Sequence, residues 1–197
     1  MDDFIVEFSG AATPEFCEMI IKRYESDIRK RRALIGPNAE YIKEVRDSIN
    51  VEINRYPEWG PIVDDIRNMI YSRLHIYIET VHSGLTKSLW SGGYDSDYIV
   101  MKYEPDGHGY SWHNDFMYDI DYGGVRTITW LFYLNDCEGG ETEFRNGPKV
   151  SCETGKLVLF PSDWTMVHRG LPPIGGPKYL AVGWIMSKWN KELDKAK

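Results

Sequence analysis

The stretch KYLAVGWIM, residues 178–186, is apolar or aromatic at nearly every position after its first lysine. Successive side chains of a strand point to opposite faces of a sheet. Here the even-numbered positions carry Leu, Val, Trp and Met after Lys178, and the odd-numbered positions carry Tyr, Ala, Gly and Ile. Both faces therefore look buried, which predicts a strand inside a layered β-fold.

Further strands are predicted by the β-rich runs before this stretch, which Gly-, Pro- and Asn-containing turns separate. In the N-terminal part, apolar residues instead recur with the period of an α-helix. Thr13 followed by Pro14 is a helix-capping signal there. Residues 47–54 are ambiguous and could be extended. We expect a short strand at 4–8, helices at about 14–31 and 59–81, and strands at 98–103, 126–134, 141–144, 156–160, 165–169 and 178–186.

This order of elements predicts helices packed on a β-sandwich or barrel in an α+β chain with a mainly β core. We expect one domain over residues 1–197, with 1–95 as mostly helical support and 96–188 as the β-core. Its 197 residues are enough to build a substantial core.

Composition excludes several classes of function. The net charge of −7 argues against a nucleic-acid binder, which should carry a basic face. No apolar run is long enough to span a membrane, and the N-terminus lacks the features of a signal peptide. Three cysteines without CxxC spacing predict free thiols in a reducing, cytoplasmic setting, with a Cys137–Cys152 bridge as the alternative.

A candidate metal site lies in YEPDGHGYSWHNDF, residues 103–116. If this segment is extended, His113 and Asp115 project to the same side and supply half of a ligand set. Two histidines and one carboxylate on one face of an iron leave three coordination sites open. His168 follows a buried-looking strand and is the best candidate for the second histidine. A polar loop without a metal is the alternative, because HxD alone is a weak motif.

Lys178 adds a second observation, because an ammonium group on an apolar strand face is costly unless an anion meets it. It could bind the carboxylate of a ligand, or it could start the strand and extend its amine to water. Ten positions separate it from His168, so the two side chains could share one pocket.

Together these residues resemble the Fe(II)/2-oxoglutarate dioxygenases, specifically the prolyl 4-hydroxylase-like branch. The resemblance covers about residues 98–187 and includes the segments RTITWLFYLND, EGGETEF and PSDWTMVHRG. It implies a double-stranded β-helix (jelly roll) with supporting N-terminal helices. It also implies Fe(II), 2-oxoglutarate and O2, with ascorbate as a reductant, and a peptide or protein substrate.

The same resemblance implies roles for individual residues. The metal ligands would be His113, Asp115 and His168, and Lys178 would pair with the distal carboxylate of 2-oxoglutarate. Many relatives have Arg at this position. Lys provides a point charge instead of the bidentate hydrogen bonding of a guanidinium. Tyr103, Tyr133 and Trp184 would also lie at the cosubstrate, and the substrate side would include Arg126, Tyr110, Trp90 and Tyr94.

The expected reaction is hydroxylation of a peptidyl prolyl residue with release of succinate and CO2. Another protein side chain, a free amino acid and a small metabolite are alternative substrates, because a fold is a poor guide to substrate. A metal-binding jelly roll without turnover is the alternative from a different functional class. The loop 84–97, with Trp90 and Tyr94, could close over an extended peptide.

Overall fold

The computed structural model describes residues 4–35, 39–82, 93–105, 107–120 and 122–188. Two α-helices, α1 (Pro14–Ser26) and α2 (Gly60–His82), lie in the N-terminal half. The strands are β1 (Val6–Phe8), β2 (Arg31–Arg32), β3 (Ser48–Glu52), β4 (Tyr94–Asp95), β5 (Ile99–Tyr103), β6 (Tyr110–His113), β7 (Tyr118–Asp119), β8 (Gly124–Tyr133), β9 (Glu138–Gly139), β10 (Thr142–Phe144), β11 (Lys149–Val150), β12 (Leu157–Pro161), β13 (His168–Gly170), β14 (Pro173–Ile174) and β15 (Lys178–Lys188).

The strands form a major sheet, a minor sheet and one short pair. The major sheet has the order β1-β12-β8-β15-β5-β3-β2, with β4 beside β15 and β7 beside β8. The minor sheet has the order β11-β10-β13-β6, and β14 pairs with β9. All registered pairs are antiparallel, and strands distant in sequence are neighbours in the sheet. The N-terminal 95 residues therefore supply strands to the major sheet as well as the helices that were predicted there.

Helix α1 begins as predicted but ends earlier. Thr13 caps it by accepting a hydrogen bond from the backbone N–H of Phe16 at 3.3 Å, and a proline occupies the first turn. The predicted end near residue 31 is wrong, because the helix ends at Ser26. The Asp27 carboxylate accepts hydrogen bonds from both the backbone and the guanidinium of Arg29, so local side-chain bonding replaces the next helical turn.

Helix α2 covers the outer face of the major sheet and matches the predicted 59–81 segment closely. Its buried side chains recur at helical spacing, as in Ile62, Ile66 and Ile70, and belong to one core with Trp59 and Trp130. The extended interpretation of residues 47–54 is confirmed by β3. Within the described residues, neither helix combines the length and the apolar character needed to cross a bilayer.

Strand β15 separates two hydrophobic cores, as the apolar residues on both of its faces predicted. Tyr179, Ala181 and Ile185 pack in the core under the helices. Leu180, Val182 and Trp184 pack in a second core, between the major and minor sheets. Two sheets that enclose an apolar interior make the space in which a site can be sheltered from water.

Gly183 marks the tightest packing on β15. A methyl group on its Cα would lie 2.0 Å from the carbonyl oxygen of Asp97 and 2.4 Å from the Trp130 ring. We expect Gly183→Ala to destabilise the fold by about 3 kcal/mol or more, because neither neighbour is a flexible side-chain end. That loss corresponds to a fall of roughly 6–12 °C in Tm for a chain of this size.

Calorimetry of Gly183→Ala beside Gly60→Ala tests this expectation. Gly60 lies at the start of α2 and has no atom within 4 Å of an added methyl group, so its variant should melt at or slightly above the wild-type temperature. Equal melting temperatures for Gly183→Ala and wild type would contradict this expectation, because β15 would then accommodate the methyl group without a loss of stability.

Candidate metal centre

The minor sheet brings together two histidines that are 55 positions apart in sequence. Strands β13 and β6 pair in a register that puts His168 directly opposite His113. Asp115 follows the end of β6 by two residues and turns back toward both rings. The predicted grouping of these three side chains is therefore present in the structure.

The three donor groups converge on one point. His113 Nε2 lies 3.8 Å from Asp115 Oδ1, and His168 Nε2 lies 3.8 Å from Asp115 Oδ2. The two imidazole centroids are 4.2 Å apart, and one donor atom from each residue lies within 4.8 Å of the others. These separations exceed hydrogen-bond length, so the donors face a shared space large enough for an ion.

The backbone fixes which nitrogen of each ring faces that space. His113 Nδ1 donates to the Ser111 carbonyl at 2.8 Å, and His168 Nδ1 donates to the Met166 carbonyl at 3.0 Å. Each Nε2 then faces the shared space, which is the ring orientation that metal-ligating histidines adopt. Burial, together with the charge that His168 would carry, lowers the pKa of His113 to about 4, so its ring is neutral at pH 7.

Asp115 is held in its charged form. Burial raises the pKa of its carboxyl group, but the two imidazoles and the Thr129 hydroxyl lower it by more, so the net shift is downward. Thr129 Oγ1 donates to Asp115 Oδ2 at 2.8 Å and lies 2.8 Å from Ser162 Oγ. Two imidazoles and one carboxylate with open positions are the donor set of non-heme Fe(II) sites, so these residues could hold that metal.

A cavity of about 390 Å³ extends from the three donors into the space between the sheets. Its exposed lining residues, the apolar Leu34, Phe116 and Met117 and the polar Asn114, mark the opening. Leu131, Leu180 and Val182 form an apolar wall, and the ammonium of Lys178 lies in the same cavity. A concave, mostly apolar space with a few convergent polar groups is typical of a small-molecule site.

Lys178 is a buried cation that lacks a carboxylate. The residue is 2% exposed, its Nζ donates to the Gly140 carbonyl at 2.5 Å, and it forms no ion pair within the described ranges. A buried ammonium needs a compensating anion, so the lysine could bind the carboxylate of a ligand.

The two predicted cosubstrate tyrosines lie on either side of Lys178, with ring centroids 5.7 Å (Tyr103) and 5.2 Å (Tyr133) from its Nζ. Tyr103 lines the cavity. Tyr133 is fully buried, and its hydroxyl donates to Thr142 Oγ1 at 2.7 Å. Thr142 itself lines the cavity, so Tyr133 would reach a ligand most directly through that threonine.

The predicted substrate-side residues fall into two groups. Arg126 and Tyr110 line the cavity, and Tyr110 stacks on His113 with centroids 3.6 Å apart. The Arg126 guanidinium lies 3.4 Å from the Trp184 ring centroid, and both Arg126 Nε and Trp184 Nε1 are buried without a hydrogen-bond partner in the described chain. These two donors are available to a ligand.

The other two predicted substrate residues are not seen in the cavity. Tyr94 belongs to β4, and its hydroxyl donates to the Tyr122 carbonyl at 2.5 Å, away from the cavity-lining residues described here. Trp90 lies outside the described residues, as does most of the proposed lid at 84–97, so the lid remains a prediction.

Arg46 is a cavity residue that the sequence did not point to. Its guanidinium carbon lies 4.7 Å from the Tyr110 ring centroid, and its Nε donates to Ser48 Oγ at 3.1 Å. It makes no ion pair with any carboxylate of the part of the chain that is described. Arg46 precedes β3 by two residues, and its antiparallel bridge to Tyr110, together with the pairing of β3 with β5, brings it to the cavity.

Comparison with known proteins gives consistent results. Residues 98–186 match the family model described as the 2OG-Fe(II) oxygenase superfamily. The chain is 26% identical over 216 residues to probable prolyl 4-hydroxylase 9 of Arabidopsis thaliana, an alignment that covers 95% of this chain and 70% of that one. It spans 41% and 55% of the length of two further curated hydroxylases that it matches.

Solved structures confirm the predicted double-stranded β-helix fold. A prolyl hydroxylase from Trichoplax adhaerens, in complex with a peptide fragment of the hypoxia inducible factor oxygen degradation domain, aligns with a TM-score of 0.73 and 18% identity, over 99% of this chain and 88% of that one. The 2OG complex of viral collagen prolyl hydroxylase from Paramecium Bursaria Chlorella virus-1 aligns with a TM-score of 0.64 and 20% identity, over 94% and 97%.

Proposed function

Because this chain belongs to the 2OG-Fe(II) oxygenase superfamily, whose members use Fe(II), 2-oxoglutarate and O2, we propose that it hydroxylates a prolyl residue in a peptide or protein. The products would be the hydroxylated residue, succinate and CO2. Ascorbate would serve as the reductant, and the free cysteines support a reducing, cytoplasmic setting. Residues 1–197 would act as one domain, with 96–188 as its catalytic β-core.

One observation carries the proposal: a single cavity contains a His-Asp-His donor set and a buried ammonium that pairs with no carboxylate of the described residues. Fe(II) would be held by His113, Asp115 and His168. Lys178 would hold the distal carboxylate of 2-oxoglutarate, which supplies the anion that the buried charge requires. Tyr103 and Trp184 would pack beside the cosubstrate, and Tyr133 would act through the Thr142 hydroxyl.

When bound, Fe(II) with 2-oxoglutarate and O2 supplies the oxidising chemistry that hydroxylates a C–H bond. The protein's own groups prepare the site for this. The Ser111 and Met166 carbonyls orient the two imidazoles, and Thr129 holds the carboxylate of Asp115. The apolar wall excludes water, which strengthens the interaction of Lys178 with an anion.

Two features of the opening support a peptide substrate. Leu34, Phe116 and Met117 provide an exposed apolar rim on which a prolyl ring and its neighbours could pack. Arg126 offers a donor for a peptide carbonyl beyond that rim. Two of the curated relatives are named as prolyl 4-hydroxylases, and a prolyl hydroxylase of similar structure was solved with a bound peptide.

A second candidate is hydroxylation of a free amino acid or another small carboxylate. Arg46 favours it, because a cavity-lining guanidinium without a carboxylate partner could bind the carboxylate of such a substrate. The two candidates differ in what Arg46 contacts, a peptide carbonyl or a full negative charge.

Titration and a substrate panel test the proposal together. Anaerobic addition of Fe(II) and 2-oxoglutarate should produce a visible charge-transfer band, and oxygen with ascorbate should then release succinate. A proline-containing peptide should gain one oxygen by mass, whereas the same peptide with alanine in place of proline should not. Turnover of free proline or another free amino acid, without peptide turnover, would favour the second candidate. No 2-oxoglutarate binding by folded protein would refute both.

A further inference from the structure

Two free cysteines lie around the same backbone turn although 15 positions separate them in sequence. Cys137 precedes β9, and Cys152 follows β11. Their sulfurs lie 3.5 and 3.7 Å from the same Gly139 carbonyl oxygen, and Cys152 Sγ is also 3.3 Å from the Gly140 carbonyl oxygen. Two thiols that share one carbonyl oxygen are near enough for a small movement to bring them together.

The same two thiols surround the lysine of the cavity. Gly140, with φ +70°, lies between them, and its carbonyl accepts the hydrogen bond from Lys178 Nζ. A methyl group on Gly140 would lie 2.8 Å from Cys137 Sγ, 3.2 Å from Cys152 Sγ and 3.3 Å from Lys178 Cδ. Any movement of the two sulfurs therefore acts directly on the backbone and side chain that position the ammonium.

The environment makes the two thiols chemically unequal. The neighbouring Cys137 thiol lowers the pKa of Cys152, and the Lys178 cation lowers it further, which outweighs the effect of burial. The neighbouring Cys152 thiol, together with burial, raises the pKa of Cys137. Cys152 is then the sulfur that would react first as a thiolate, and Cys137 is the neighbour that would resolve the product.

We propose that Cys137 and Cys152 form a reversible redox modification site that controls binding of the anionic cosubstrate at Lys178; this effect on binding rests on the function proposed above. The Cys152 thiolate attacks hydrogen peroxide, breaking its O–O bond to give a sulfenic acid and, after protonation, water. Cys137 then attacks that sulfur, forming the S–S bond and releasing a second water. In total, two thiols lose two electrons and two protons to one peroxide.

The disulfide weakens binding because its geometry differs from that of the thiol pair. An S–S bond is about 2.05 Å long, so both sulfurs must leave their hydrogen-bond positions. The Gly139 and Gly140 carbonyls then lose thiol donors, and the turn that holds Lys178 Nζ shifts. We expect the affinity for 2-oxoglutarate to fall about tenfold, as for the loss of one hydrogen bond to a charged group.

The experiment oxidises the metal-free full chain with hydrogen peroxide and removes the oxidant before Fe(II) is added under nitrogen. Intact mass should fall by about 2 Da, the mass of two hydrogens. Peptide mapping should join Cys137 to Cys152. Titration with 2-oxoglutarate should show the weaker binding, and dithiothreitol should restore it. Cys17→Ala is the matched control, because Cys17 is a buried residue of α1, remote in sequence from the pair, and its variant should show the same mass loss.

Three results would overturn the proposal. The first is separate oxidation of the two thiols without the mass loss. The second is a disulfide that leaves 2-oxoglutarate affinity unchanged. The third is a loss of affinity that persists in Cys137→Ser or Cys152→Ser, which cannot form the bond. Failure of the proposed function is distinguishable, because the reduced protein would then bind no 2-oxoglutarate although the disulfide still formed.

Discussion

Replacement of His113 by alanine is expected to abolish succinate release and to weaken Fe(II) binding by more than about 100-fold. The reason is that His113 supplies one of three donor atoms around a shared point. Loss of an outer hydrogen-bond partner of a ligand already costs about 10- to 100-fold, so loss of the ligand itself should cost more. Competition with a chromophoric chelator measures the metal affinity, and coupled detection of succinate measures turnover.

His75→Ala is the matched control for this variant. His75 is an exposed residue of α2, remote in sequence from the donors and absent from the lining of the cavity as described. Its replacement by alanine should leave both measurements at wild-type values. The His113 ring stacks on Tyr110 near the surface of the cavity, so the variant should keep most of its thermal stability. Wild-type iron affinity in a folded His113→Ala protein would rule out this centre.

Replacement of Lys178 by methionine should reduce affinity for 2-oxoglutarate by at least about 30-fold while Fe(II) binding without cosubstrate stays unchanged. Removing one partner of a buried, hydrogen-bonded charge pair costs about 2–5 kcal/mol. Each 1.4 kcal/mol is a factor of ten in affinity. Methionine has a similar length, and exchanging a buried charge for an apolar group is often neutral or stabilising, so the melting temperature should not fall.

Lys149→Met controls for the loss of a positive charge. Lys149 lies on β11 with an exposed side chain, 3.3 Å from Glu143. Surface pairs of this kind contribute little, so both 2-oxoglutarate affinity and stability should match the wild type. Equal 2-oxoglutarate affinities for Lys178→Met and wild type would require a different anchor for the distal carboxylate, and Arg46 and Arg126 are the cavity cations that remain.

Local patterns in the sequence predicted a large part of the fold. The alternation in residues 178–186 predicted both buried faces of β15, and helical spacing predicted α2, because burial on one face imposes a period that local sequence records. Thr13 and Pro14 predicted the start of α1 for the same local reason. The end of α1 was not predicted correctly. The Asp27 carboxylate accepts hydrogen bonds from Arg29 in place of a further helical turn, and the apolar periodicity contains no sign of these bonds.

The donor set and the lysine were predictable because each residue lies in a recognisable segment. The residues that surround and position these groups were not predictable. Thr129, Thr142 and Arg46 reach the site through strand pairings between distant parts of the chain, and no pattern in the sequence assigned a role to any of the three. The contact between Cys137 and Cys152 likewise depends on how two turns meet over Gly140.

The sequence alone determined the kinds of groups present: two histidines and an aspartate to bind a metal, a lysine on an apolar strand face, and strands with two buried sides. The tertiary structure alone decided that His168 lies opposite His113 and that the lysine shares their cavity, where no carboxylate of the described segments pairs with it. The physical reason is that residue type and periodicity are local properties. Strand register, burial and the pairing of charges depend on contacts between residues far apart in the chain.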